Sequence, residues 1–169
     1  MEKFDLYFFE EHYDDGAAVL RREDGEIVKM VEYDKEYVTY NIPANPDMVC
    51  RVRLYYHDTL TLKEEGWLLK KGGTHIGVWK EYDEFGGIVA EHDTDADFPV
   101  SWNQMAQRLR EEKISLQEVT QIARNKTKEG LPEWRFILCH RPGVIENVRF
   151  DAVTGALLQR EKQIFELDR

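Results

Sequence analysis

Residues 77–91 read GVWKEYDEFGGIVAE, and the way this stretch folds sets the pattern for much of the chain. Gly77 admits backbone angles closed to other residues. Trp79 and Tyr82 lie on a strand-forming run, three apart, so a regular strand sends them to opposite faces. Asp83 can accept hydrogen bonds from the backbone just ahead of it, and Gly86 supplies the left-handed position of a short hairpin loop. Ile88, Val89 and Ala90 then resume the strand. A lone hairpin is not stable in water, so this one must pair with neighbours.

Those neighbours are legible upstream. AAVLRR and IVKMVEY flank the Asp24-Gly25 turn, a strong hairpin signal. EYVTYNI and MVCRVRLYY are separated by PANPD, where Pro43 and Pro46 enforce a loop. LTLKEEGWLLKKG, GVWKEYD and GIVAEHD follow. Short strands joined by short turns predict an antiparallel meander over residues 1–97.

The pattern changes at Ser101. Trp102, Met105, Ala106 and Leu109 fall at helical spacing, and Ser101 with Gln104 forms a capping box. SLQEVTQIARNK predicts a second helix, with Ser115 and Glu118 as its box and Leu116, Val119, Ile122 and Ala123 as its apolar stripe. EWRFILCH alternates Trp134, Phe136 and Leu138 against Arg135, Ile137 and Cys139. VIENVRF and ALLQREKQIFEL complete three strands. The expected class is α+β: a β meander over 1–97 and an ααβββ layer over 98–169, divided near Phe98-Pro99.

Two stretches carry family resemblances. The pattern G-x-W-x-x-Y-D-x-x-G-x-(I/V/L)-x-x-E, from Gly77 to Glu91, resembles the variant MORN repeat of bacterial proteins, which builds tandem hairpins. LYYHDTLTLKEEG at 54–66 is a degenerate upstream copy that sets Tyr56 on Tyr82, Asp58 near Asp83, and Leu62-Lys63-Glu64 against Val89-Ala90-Glu91. That resemblance implies a surface for partners, antitoxin-like in some members, and not a catalyst. ISLQEVTQIARNKT together with Phe150, Asp151, Thr154, Gly155 and Leu157 resembles a PepSY unit. That second resemblance implies a helix packed on a small sheet, with inhibition or shielding of peptidases as the associated role.

Charge narrows the partners. The 169 residues carry a formal net charge of −10. Lys and Arg number 11 against 23 Asp and Glu in residues 1–100, and 12 against 10 thereafter. Such acidity disfavours nucleic acid and anionic membrane surfaces. The N-terminal stretch lacks the basic and apolar regions of a signal peptide, and no window is long enough for a membrane span, so a cytoplasmic protein is expected. Cys50 and Cys139 sit in apolar runs and read as buried free thiols.

Chemistry finds little purchase. Asp93, Asp95 and Asp97 match the first, third and fifth places of a calcium loop, but Phe98 and Gln104 occupy its sixth and twelfth. His12, His57, His75, His92 and His140 form no metal-binding spacing. Cys139 and His140 are strand neighbours and point apart. Hence no catalytic residue, metal or cofactor is assigned, and the chain reads as non-enzymatic. The expected function is protein binding of immunity or antitoxin type, toward a basic toxin or nuclease. The expected contact residues are Glu64, Glu65, Trp67, Trp79, Glu81, Tyr82, Asp83 and Glu84. The alternative is a PepSY-like peptidase inhibitor or ligand-sensing protein. Acidity also serves solubility, and the sequence leaves both uses open.

Overall fold

The computed structural model describes residues 2–44 and 48–165. The chain is mostly antiparallel β and divides into two compact units, Met1–Lys70 with His75–Thr94, and Lys71–Thr74 with Asp95–Arg169. The predicted turn at Pro43 lies outside the strands, whereas Pro46 falls outside the described residues.

In the first unit, a seven-residue helix α1 (Leu6–His12) precedes eight strands: β1 (Tyr13–Asp14), β2 (Ala17–Arg21), β3 (Ile27–Tyr33), β4 (Glu36–Ile42), β5 (Val49–Tyr56), β6 (Leu62–Leu69), β7 (Thr74–Tyr82) and β8 (Ile88–Asp93). They form one sheet in sequence order, the expected meander. Helix α1 corrects the expectation that 1–97 is sheet alone. Asp5 caps it by accepting from Phe8 N at 3.0 Å. So short a helix is held by packing more than by propensity. Phe9 is its buried side chain, and joins Phe4, Ala18, Tyr37, Tyr55 and Leu62 in a core on one face of the sheet. Val38, Cys50, Val52 and Trp79 form a second cluster. Tyr37 and Val38 are strand neighbours, so the two clusters use opposite faces.

The second unit holds α2 (Trp102–Glu111), β9 (Val119–Lys126), β10 (Pro132–Arg141), β11 (Val144–Asp151) and β12 (Leu157–Ile164). Their sheet has the order β12-β11-β10-β9. The capping box at Ser101 and Gln104 is formed, and α2 buries Trp102, Met105, Ala106 and Leu109 as its spacing predicts. They are buried together with Trp134, Phe136, Leu138, Val148 and Phe150. At Asp151, Oδ1 accepts from Val153 N and Thr154 N at 2.8 and 2.7 Å, and Gly155 adopts φ 73°.

The second helix expected over 115–126 is corrected to strand β9, which makes the unit αββββ. The i, i+3 spacing of Val119 and Ile122 arises from a bulge. Val119 pairs with Leu138 and Gln121 with Ile137, so Thr120 is the extra residue. The bulge sends both Val119 and Ile122 inward, where each is fully buried. The turn Lys71–Thr74 belongs to this unit through the same strand. Ile122 N donates to Lys71 O at 2.9 Å, and Thr74 Oγ1 donates to Ile122 O at 2.8 Å.

Candidate functional site

The β7–β8 hairpin closes as its residues dictate. Asp83 Oδ1 accepts from Phe85 N at 2.9 Å and Gly87 N at 2.8 Å, and Gly86 N donates to Asp83 O at 3.0 Å. Gly86 has φ 84° and Gly77 has φ 68°. A side chain at Gly87 would begin 2.8 Å from Asp83 Oδ2, so that glycine makes room for the capping carboxylate.

The preceding hairpin, β5–β6, repeats this geometry with an offset of one residue from the alignment drawn on sequence. Tyr55 pairs with Leu62, as Tyr82 pairs with Ile88. Lys63 and Val89 are then the extra residues of equivalent bulges. Tyr56 N donates to Thr61 O, as Asp83 N donates to Gly87 O. The first loop is one residue longer, and Leu60 stands at φ 58° where the second has Gly86. Leu60 packs against the aromatic core, which compensates for a conformation rare in leucine.

The eight contact candidates divide between two faces and the loop. Glu65, Trp67 and Tyr82 share one face. The Glu65 carboxylate pairs with Arg51 and accepts from Tyr82 Oη at 2.7 Å, with Arg53 Nε 3.8 Å away. Burial by itself raises its pKa, and the Tyr82 hydroxyl and Arg51 outweigh that and hold the carboxyl below its usual range. Burial, then the Glu65 carboxylate, pushes Tyr82 up to about 12. Glu65 is therefore spent inside the sheet. Trp67 is 44% exposed.

Glu64, Trp79 and Glu81 occupy the other face. Trp79 is corrected from a surface anchor to a core residue, because it is 3% exposed. Its ring lies over Gly66, where any Cβ would come within 2.2 Å of it, and its Nε1 donates to Trp67 O at 3.1 Å. His75 stacks on it with ring centres 3.8 Å apart. Burial and then the neighbouring Glu81 raise the Glu64 pKa. Glu81 Oε1 lies 2.9 Å from His92 Nε2. Asp83 is committed to the turn, and Glu84 is exposed beside it.

The sequence reading missed the hairpin's free side. Strand β8 ends the sheet, and all its residues but Ala90 are exposed. Phe85 is 85%, Val89 62% and Ile88 53% exposed. Adjacent Ile88 and Val89 were the available signal, since a strand cannot bury both on one face without a bulge. Glu91 bonds Lys80 across the pair at 3.3 Å. An open concavity of about 800 Å³ at the β3–β4 turn is lined by Glu32, Asp34 and Glu36 together with Lys35, Lys63 and Tyr33.

The other sequence candidates have structural partners. Asp95 pairs with Arg124, and Asp97 with Lys126 at 2.7 Å. Among the described residues no group of three or more His, Cys, Asp and Glu is placed to hold a metal ion. His140 lies between Glu118 (3.2 Å) and Glu146 (2.8 Å), away from Cys139, whose Sγ faces Arg141 O at 3.7 Å. Cys50 is a buried free thiol, as expected, but Cys139 is exposed, because its alternation on β10 turns it away from Leu138 and the core. Among the described residues no helix is long and apolar enough to cross a membrane. No family model, curated protein or solved structure matches this chain.

Proposed function

We propose that this chain is a non-enzymatic binding module of immunity or antitoxin type, whose acidic eight-stranded unit engages a basic protein such as a toxin or nuclease. The observation that carries this reading is the edge hairpin β7–β8. Phe85, Ile88 and Val89 are exposed there among the carboxylates Glu81, Glu84 and Glu91. The unit around them holds 21 acidic against 10 basic residues, a net of −11, whereas the other unit holds 12 against 13. An apolar centre ringed by charge of one sign suits a partner of opposite charge: the apolar residues supply contact area, and the charges speed and orient the encounter. In this reading the repeated β5–β6 and β7–β8 hairpins are the MORN-like element.

The test compares the protein with its triple variant Glu81→Lys, Glu84→Lys, Glu91→Lys. Both are immobilised and exposed to cell extract at low ionic strength. Basic proteins retained by the wild type and lost by the variant, then rebound after purification, are the expected result. Retention of the same proteins by both would remove the acidic hairpin from recognition.

A further inference from the structure

We infer that β8 takes a basic extended segment of the partner as a ninth strand, paired along the backbone of Glu91. This rests on the basic-partner reading above and adds the mode of docking. Thr94 N donates to Gly77 O at 3.0 Å, which places that pair in hydrogen-bonded register. Antiparallel pairs alternate. His92 opposite Trp79 and Ala90 opposite Glu81 therefore spend their backbone groups on β7. Glu91 opposite Lys80 is a non-bonded pair, so its N–H and C=O point away from β7, along the free edge.

Exposed edges are templates for added strands, and folded proteins blunt them with charge and bulges. β8 carries both devices, with a distribution that selects a partner. Its bulge at Val89 is confined to the turn end. Its charge is acidic: Glu91 lies on the strand, and Glu81 and Glu84 lie beside it. A second copy laid antiparallel on β8 would set carboxylates against carboxylates, which costs stability across a strand pair. A segment with lysine or arginine on its flank relieves that repulsion while Ile88 and Val89 meet its apolar residues. Phe85, at the loop, extends the apolar contact beyond the last paired residue.

The probe is a peptide of about ten residues alternating lysine and valine, the length of an ordinary strand. Two further peptides carry the same number of backbone N-methyl groups, one set on the odd and one on the even positions, so that each blocks one edge. A fourth replaces lysine by glutamate. Affinity is measured calorimetrically, and amide hydrogen exchange of the protein is followed with and without peptide. The expected result is binding of the parent, loss of about tenfold or more for one methylated peptide with the other little changed, and slowed exchange at the Glu91 amide. Equal binding of both methylated peptides, still weakened by salt, would overturn strand addition and leave the basic-partner reading standing. Equal binding of the lysine and glutamate peptides, or binding of neither, would sink both.

Discussion

Gly66 is where one missing side chain has the most consequence. Trp79 lies over it so closely that an added Cβ would sit 2.2 Å from the indole ring. Gly66→Ala should push the ring from its site and lower unfolding free energy by about 2 kcal/mol, the usual scale of overpacking; an unchanged urea midpoint would show that the ring can move freely. His140 makes a different prediction. Hydrogen bonds that His140 donates, first to Glu118 and then to Glu146, raise its pKa above the ordinary 6.5. A folded-state pKa above the unfolded one gives stability that is complete below the unfolded value and fades as pH rises through the raised one. Unfolding free energy should therefore fall as pH climbs above about 6.5, and His140→Gln should flatten that slope; parallel curves would remove His140 as its cause. Arg160 outweighs burial at Glu146 and, with His140, holds that carboxyl below its ordinary 4.5, so its contribution is lost only as pH falls through the depressed value. Turn residues were the most legible part of the chain at this scale. Asp83, Gly86, Asp151 and Gly155 announce their conformations by residue type, and all four adopt them. Gly66 and Leu60 do not, because what constrains them comes from the next hairpin or from the aromatic core.

Elements were legible wherever period and turn chemistry agreed. Strands β2 to β8 carry β-branched and aromatic residues between glycine, proline and aspartate, and α2 carries a complete capping box with a matching apolar stripe. Two elements escaped for physical reasons. Helix α1 has a cap but only seven residues, too few for an amphipathic period to register. Strand β9 has a bulge at Thr120, which imitates helical spacing by sending Val119 and Ile122 to one face. Ser115 and Glu118 complete the imitation, although Ser115 makes only a turn, its Oγ accepting from Gln117 N at 3.3 Å. The two serines can be separated by measurement. Ser101→Ala removes a real cap and should cost about 1 kcal/mol, whereas Ser115→Ala should cost a few tenths at most. Equal losses in denaturant unfolding would restore helical character to 115–126.

At the scale of the whole molecule, charge asymmetry was visible in the sequence, and the exposed apolar patch at the β7–β8 edge was not. The eight contact candidates were chosen as neighbours of the repeat hairpins. Alternation then divides them: Glu65 closes on Arg51 and Tyr82, Trp79 enters the core, and Asp83 is held by its turn. Glu81 and Glu84 remain on the surface with Glu91, Glu64 is half-buried, and Phe85, Ile88 and Val89 supply the apolar area that sequence did not assign. Sheet order decides this, because only the two end strands, here β1 and β8, lack a partner on one side, and no local pattern says which strands those are. In the proposed reading the same arrangement discriminates between partners: like charges repel a second copy and attract a basic chain. Exposed charges steer an encounter only within a screening length of about 10 Å at 0.1 M salt, so the steering has a kinetic signature. The most direct measurement is the association rate constant of the purified basic partner, by stopped flow, at about 0.05 M and about 0.5 M salt, for the wild type and for the Glu81→Lys, Glu84→Lys, Glu91→Lys variant. The account predicts a rate for the wild type that falls by about tenfold or more between the two salts, and a slower, less salt-dependent rate for the variant; equal rates for the two proteins at both salts would contradict it.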